Sequence, residues 1–489
     1  MEPESEITVE SVKQKSVRGV VVLTGRTFLL QIIALVAQLF LFAYLGQYEF
    51  GVFAIVSSVV SFLTYFSDIG LAAALIQKKE QPNETDLRTT FAVQQGIILI
   101  LLSILFMFSG KITAHYSLSK DGLWLIYALG TSLFLSSLKS IPSVLLERKL
   151  EFVKLVFPQI VETVVYNVTL VFLAMNGFGI TSFTVAVVLR SLIGLIMIYW
   201  IQPWRIGLSF SLKSLKELFK FGIPYQINTL LATFKDDGMT LVLGGILGPA
   251  GVGILSFAQK IARYPLTFFM DTVTKVTFPA FSRLQDKGKD LERSVTRSIF
   301  FICLLVFPSL VGIIVLMPWI VELVPKYSKW SVALIPLTFV SINFAFAAGT
   351  TQLTNLLNAI GKIKITFYLM IMWTVLTWAF VPYLAIKFGV NGASIGYSLV
   401  GLSSIVAIYL AKKYVNFSIF DSMVKPLIAS LIMFLCLIFI KRYLAVNFYS
   451  IGILTLAGVI TYAVSIVTMI GVSLIEDAKK SFNTIFNRS

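Results

Sequence analysis

The sequence predicts an all-α protein that crosses a membrane many times, and three observations carry that expectation. Of 489 residues, 57% are apolar and only 13% charged, whereas a soluble domain carries about a quarter charged residues. Mean hydropathy is +0.87, too high for a surface that faces water. The apolar residues also fall into fourteen runs separated by short polar connections, and one run of roughly 20 residues suffices to cross about 30 Å of hydrocarbon. Backbone in lipid must satisfy its own hydrogen bonds, so such runs form helices. A soluble enzyme, a secreted disulfide scaffold and a singly anchored protein are excluded.

In chain order the predicted spans lie at 18–45, 49–76, 88–110, 122–146, 153–175, 179–202, 218–246, 250–282, 295–318, 331–358, 365–387, 391–411, 424–440 and 448–475. The longest exceed the hydrocarbon thickness and must tilt or reach into water. Connections are mostly under 20 residues, which leaves no room for a catalytic domain outside the membrane. No G-x-x-x-x-G-K-[ST] phosphate loop occurs, so ATP-driven transport by this chain alone is not expected. Cys303 and Cys436 both lie in apolar runs and read as small core or lipid-facing residues. With a single histidine, His115, in a polar connection, no metal centre, haem pair or histidine relay is expected, and no cofactor. The polar, mixed-charge segment 1–19 lacks the pattern of a cleaved signal peptide, and the C-terminus shows no lipidation signal.

Lysine and arginine set the orientation. With the N-terminus inside, the inner segments hold 26 Lys and Arg, the outer loops 7 (Lys111, Lys120, Lys326, Lys329, Lys387, Lys441 and Arg442) and the spans the remaining 7. Positive charge favours the cytoplasmic side, so both termini of this multi-pass protein are expected in the cytoplasm. The same bias largely accounts for the net charge of +16, which therefore does not argue for nucleic acid.

The chain also contains an internal repeat. LGQYEFGVFA (45–54) aligns with LGPAGVGILS (247–256) at an offset of 202, and Asp68 with Asp271 at 203. FGITSFTVAVVLRSLIGLIMIYW (178–200) aligns with FGVNGASIGYSLVGLSSIVAIYL (388–410) at 210. Six spans separate the copies, so both run the same way through the membrane. Two parallel six-helix lobes are expected, at 1–205 and 206–413, followed by two further helices and a cytoplasmic tail at 414–489. Parallel repeats of this kind suit a transporter that rocks one lobe against the other.

SDIGLAAALIQKKE (67–80), LLERKLEFVKL (145–155), FGIPYQIN (221–228), LGPAGVGILSFAQKIARYP (247–265) and VTFPAFSRLQ (276–285) carry a family likeness. In these segments, in order along nearly the whole chain, the protein resembles the polysaccharide transporters of the multidrug/oligosaccharidyl-lipid/polysaccharide superfamily. That branch comprises the flippases of O-antigen, exopolysaccharide and teichuronic-acid repeat units. The resemblance implies a V-shaped, two-lobed fold of fourteen helices, like that of the drug antiporters of the superfamily. It also implies movement of an undecaprenyl-pyrophosphate-linked oligosaccharide from the inner to the outer leaflet. Partners would be that lipid-linked glycan, the bilayer, and the polymerase and export machinery of cell-surface polysaccharide biosynthesis.

Seven cations lie inside the spans: Arg26, Lys139, Arg190, Lys235, Lys260, Arg263 and Lys275. At roughly 2.5–3.5 kcal/mol each at mid-bilayer, seven facing lipid would cost about 20 kcal/mol, more than the net stability of a typical domain. They must line water, pair with acids or reach an interface. In the eighth span Lys260, Tyr264, Thr267, Asp271 and Lys275 share one face, with Arg263 beside it. In the first, Thr24, Thr27, Gln31 and Gln38 form a stripe with Arg26 at its border, and the seventh carries Asn228 and Lys235 followed by Asp236 and Asp237. Three polar stripes suit a hydrophilic cavity between lobes. A pyrophosphate cannot cross hydrocarbon unaided, and Arg and Lys can replace its hydration. Arg26, Lys260, Arg263, Lys275 and Lys235 are therefore the expected headgroup contacts, with Gln31, Gln38, Asn228 and Tyr264 lining the sugar path.

Several of these charges have a structural alternative. Lys275 can pair with Asp271, and Lys235 with Asp236 or Asp237, as internal locks. Lys139 can reach the cytoplasmic interface near Glu147, and Arg190 can pair with Glu162. Asp68, Asp237 and Asp271 are expected either as proton or sodium coupling sites or as counter-ions to neighbouring cations. Pro265, Pro279 and Pro308 would permit bending of their spans. An integral-membrane glycan polymerase would need a large outer loop, which is absent from the sequence. A multidrug antiporter of the same superfamily should have an acidic cavity rather than a cationic one, whereas a lipid II flippase would share the cations.

Overall fold

The computed structural model describes residues 9–470 other than 69, 79 and 208, with side chains described outside 9–24, 68, 217–232, 271–272 and 275–276. The described residues form α1 (Val9–Tyr44), α2 (Gln47–Asp68), α3 (Leu71–Gln77), α4 (Glu84–His115), α5 (Lys120–Leu138), α6 (Ser140–Arg148), α7 (Phe152–Met175) and α8 (Ile180–Ile201). They continue with α9 (Leu212–Leu284), α10 (Gly288–Leu323), α11 (Leu334–Ala359), α12 (Ile363–Leu402), α13 (Ser404–Lys412), α14 (Lys425–Lys441) and α15 (Phe448–Ile470). A 3₁₀ turn at Pro325–Ala333 precedes α11 and a π turn at Phe420–Val424 leads into α14.

Among the described residues twelve continuous helical stretches are long and apolar enough to cross a membrane. Fourteen spans were expected, and the difference has a local cause. α9 and α12 each run through two expected spans and carry one non-helical residue, Gly248 (φ 67°, ψ 176°) and Gly389 (φ 60°, ψ −143°). Both lie at the joins the hydropathy marks, between spans seven and eight and between eleven and twelve. Positive φ is open to glycine at no steric cost, which lets the chain break direction without a polar loop.

Helix starts follow their sequence. Asn83 opens α4 with a capping box: its side chain accepts from Asp86 N at 2.7 Å, and its own N–H donates to the Asp86 carboxylate at 3.2 Å. Ser119 caps α5 by accepting from Gly122 N at 3.3 Å. α3 and α6 are too short for hydropathy to mark. Their apolar residues Leu71, Leu75, Ile141 and Val144 pack with Leu87, Phe91 and Trp204 into one small core. Arg148 closes the end of α3, donating from Nη1 to the carbonyls of Leu75 (2.6 Å), Ile76 (3.0 Å) and Lys78 (2.8 Å) and from Nη2 to Glu80 O (3.0 Å). A guanidinium there satisfies carbonyls that a helix end leaves open.

By its contacts the chain divides into Met1–Gly253 and Ile254–Ser489. In the first unit α1 packs on α7, α7 on α8, and α5 on both α8 and α4. In the second, α10 and α11 enclose Leu291, Val295, Ile299, Cys303, Leu353 and Leu356, and α14 and α15 pack against the far end of α10 around Trp319, Met433 and Leu454. Cys303 is fully buried there, a small core residue as its apolar run implies.

The repeat recurs in hydrogen bonds. In the first unit Ser211 N donates to Thr89 Oγ1 at 3.1 Å, and in the second Ser418 N donates to Thr296 Oγ1 at 3.2 Å. Both pairs span 122 residues, and donor and acceptor shift together by 207. The bends before α8 and within α12 match as well, with φ +53° at Gly179 and +60° at Gly389.

Candidate functional site: a cationic cavity in the first unit

Four helical segments of the first unit bring residues to a common space. α7 presents Gln159, Glu162, Thr163 and Tyr166 along one face, α8 presents Arg190 and Gly194, α1 presents Arg26, and Lys139 stands at the α5–α6 junction with Ser143 beyond it. Of these, Arg26, Lys139, Ser143, Gln159, Glu162, Thr163 and Arg190 line a cavity of about 290 Å³.

Its charges do not balance. Lys139 Nζ meets Glu162 Oε1 at 2.8 Å, while Arg190 Nε lies 3.8 Å from Glu162 Oε2. Side-chain exposure is 16% for Lys139 and 11% for Glu162 but 48% for Arg190. The Arg190 guanidinium also lies 5.5 Å from the Tyr166 ring, an electrostatically favourable stacking. Arg26 Nε and Gln159 Oε1 are buried without a hydrogen-bond partner among the described residues. Three cations thus share one carboxylate, leaving a formal surplus of +2 on the wall.

Arg26 and Arg190 on such a wall can each meet an oxyanion by charge-assisted hydrogen bonds. Gln159 Oε1 supplies an acceptor for a hydroxyl beside it. The volume is at the lower edge of the roughly 300–1,000 Å³ of drug-sized sites, so it admits a charged group with a neighbouring ring rather than a whole oligosaccharide.

Other expected site residues fall elsewhere. Gln31 and Gln38 on α1 are partly buried and engaged in contacts. Lys235 is neutralised by its neighbour Asp236 at 2.7 Å. Asp237 instead accepts from Ser58 Oγ (3.1 Å) and Ser61 Oγ (2.8 Å) on α2. In the second unit Lys260 and Tyr264 on α9 are partly buried, and exposed Arg263 places its guanidinium 5.8 Å from the Phe344 ring. The side chains of Asp68, Asn228, Asp271 and Lys275 lie outside the described residues.

The sequence expectation puts Arg26 in a cavity between lobes together with spans seven and eight, whereas the cavity described here lies within the first unit; it also offers Glu162 to Arg190 and puts Lys139 at the interface near Glu147. The structure gives Lys139 to Glu162, in the same cavity as Arg26. Gln159 is a wall residue that the sequence pattern does not single out, although it stands three residues before Glu162, a spacing that places both on one face.

Fold and cavity together define a polytopic, all-helical membrane protein. The profile described as polysaccharide biosynthesis protein matches residues 43–334, and the chain belongs to that family. It is 24% identical over 430 residues to the lipopolysaccharide biosynthesis protein WzxC of Escherichia coli, covering 86% of this chain and 83% of the relative. It is 22% identical over 424 residues to the succinoglycan biosynthesis transport protein ExoT of Rhizobium meliloti, covering 85% and 84%. In fold it is similar to the lipid II flippase MurJ in an inward closed conformation, with TM-score 0.75, 17% identity and coverage of 91% and 98%.

Proposed function

We propose that the protein is a flippase that carries an undecaprenyl-pyrophosphate-linked oligosaccharide from the inner to the outer leaflet of the cytoplasmic membrane, for cell-surface polysaccharide biosynthesis. It works by alternating access, with both termini in the cytoplasm, and hands its cargo to the polymerase and export machinery. The observation that carries the reading is the unmatched positive charge around Arg26 in a chain of the polysaccharide biosynthesis family. A pyrophosphate in hydrocarbon needs compensating cations, and a cavity with a surplus of two offers them. Arg26 and Arg190 hold an oxyanion of the cargo in the first unit. Lys260 and Arg263 serve the anionic headgroup from α9, Tyr264 borders the sugars, and the polyprenyl tail stays in lipid.

The test is complementation of a bacterial strain that lacks a repeat-unit flippase, run beside drug-efflux assays. Restored surface polysaccharide, lost again on Arg26→Glu with the protein still inserted, is the expected result. Drug resistance without surface glycan would move the chain to the antiporter branch, and full activity of Arg26→Glu would remove the cavity from the substrate path.

A further inference from the structure

We propose that Glu162 is a resident counter-ion that sets how tightly the cavity holds an oxyanion, acting through Lys139 and Arg190 as a positioning residue. The inference rests on the reading that Arg26 and Arg190 receive an oxyanion of the cargo. Glu162 divides its charge unequally. Its contact with Lys139 at 2.8 Å is a direct hydrogen-bonded ion pair, whereas Arg190 at 3.8 Å lies beyond the usual N–H···O range of about 2.7–3.2 Å. Lys139 is therefore committed, while Arg190, half exposed and steadied by Tyr166, stays available. Arg26 Nε has no hydrogen-bond partner among the described residues.

The carboxylate occupies a place made for it. A Cβ at position 194 would collide with Glu162 Oε1, Cδ and Cγ, so only glycine on α8 lets the carboxyl lie against bare backbone. The corresponding helices of the second repeat carry no such device: residues 366–386 and 388–411 contain no charged side chain. The counter-ion is a feature of the first half of the duplication alone.

Its role follows from the charge balance. With Glu162 present the wall carries +2, enough to attract an oxyanion and weak enough to release it after translocation. Glu162→Gln raises the wall to +3 and frees Lys139, so the anion binds more tightly and leaves more slowly. Lys139→Met returns the wall to +1 and turns the whole carboxylate toward Arg190, so the anion binds more weakly. Removing both together restores +2 with Arg26 and Arg190 in place.

The experiment titrates inorganic pyrophosphate and, separately, glucuronate into the purified full-length protein by calorimetry, since a lipid headgroup and an acidic sugar offer the same oxyanion chemistry. The source is the anion whose affinity rises roughly tenfold in Glu162→Gln and falls roughly tenfold in Lys139→Met, about 1.4 kcal/mol either way. The double variant should lie within about threefold of the wild type. A merely structural pair would shift both single variants in the same direction, or neither, and that result overturns the proposal. Should Glu162→Gln fail to insert, Lys139→Met and the double variant decide: weaker binding that the second substitution restores supports it, and anything else overturns it. Wild-type protein that binds neither anion overturns the oxyanion reading itself and the counter-ion role with it.

Discussion

At Arg26 a guanidinium nitrogen is buried with no hydrogen-bond partner among the described residues. An unmade hydrogen bond of this kind costs about 1–3 kcal/mol, and more at a charged group. A nitrogen placed this way can donate to an oxyanion of the cargo. Arg26→Met should therefore raise the thermal midpoint of the ligand-free protein while abolishing surface polysaccharide in the complementation assay. A lower midpoint would mean that Arg26 is structural. Asp237 presents the opposite case, a carboxylate already served by Ser58 and Ser61. Any coupling ion that uses it must compete with two hydroxyl donors. Asp237→Asn should flatten the pH or sodium dependence of transport in proteoliposomes, and an unchanged profile removes Asp237 from coupling. Glu147 on α6 lies outside the apolar stretches, and burial pushes its carboxyl above the ordinary carboxylate range. A raised value means that the protonated form suits the fold. The stabilisation is full below the unfolded value of about 4.3 and is lost as pH rises through the folded one. Glu147→Gln should thus raise the unfolding midpoint at pH 7 and leave it unchanged near pH 4, as a pH series of thermal scans would record.

At the scale of elements the clearest device is a crossing of α2 and α9 within the first unit. A Cβ on Gly51 would collide with the carbonyl of Pro249 and reach Gly253 N at 3.0 Å; one on Gly253 would collide with the carbonyl of Gln47 and reach Gly51 N at 3.0 Å. Gly51 and Gly253 are repeat mates 202 apart, and so are Gln47 and Pro249. The contact maps onto itself when the repeats are exchanged. Since backbone meets backbone, neither side can yield as a flexible side chain would. Gly51→Val and Gly253→Val should each cost about 1–3 kcal/mol by overpacking and depress transport to a similar degree, measured as thermal midpoint and surface glycan. Strongly unequal effects would argue against a symmetric crossing. The spans were legible because apolar runs in lipid have one solution, and the breaks at Gly248 and Gly389 fall where hydropathy parted the runs. α3 and α6 were not, because at 7 and 9 residues they are too short to hold a period and are fixed by packing instead. The cavity was half legible. Arg26 betrays itself as a charge in an apolar helix, but no local spacing links Lys139 to Glu162, 23 residues on across a turn between helices. Nor does any link Asp237 to serines 176 and 179 residues away.

Across the whole molecule, local backbone features repeat while the charges do not. The paired Thr–Ser bonds at 89–211 and 296–418 and the matching glycine bends keep the two halves alike, yet the α7–α8 charges Glu162 and Arg190 have no counterparts in the second half. Asymmetry suits cargo that enters from one leaflet and leaves by the other, and it makes the orientation in the membrane consequential. The bias of 26 cations in the expected inner segments against 7 in the expected outer loops favours one orientation, since positive loops are retained on the cytoplasmic side. Single cysteines report it directly once Cys303 and Cys436 are replaced by alanine, the first being buried and the second partly so. Lys120 and Lys289 are both exposed, the one in an expected outer loop and the other in an inner one. Lys120→Cys should react with a membrane-impermeant maleimide in intact cells, and Lys289→Cys only after the membrane is opened. The reverse pattern would turn the protein over. The Arg148 clamp and the capping box at Asn83 would then face outward, and transport from the inner to the outer leaflet would have to begin at the opposite end of the helices.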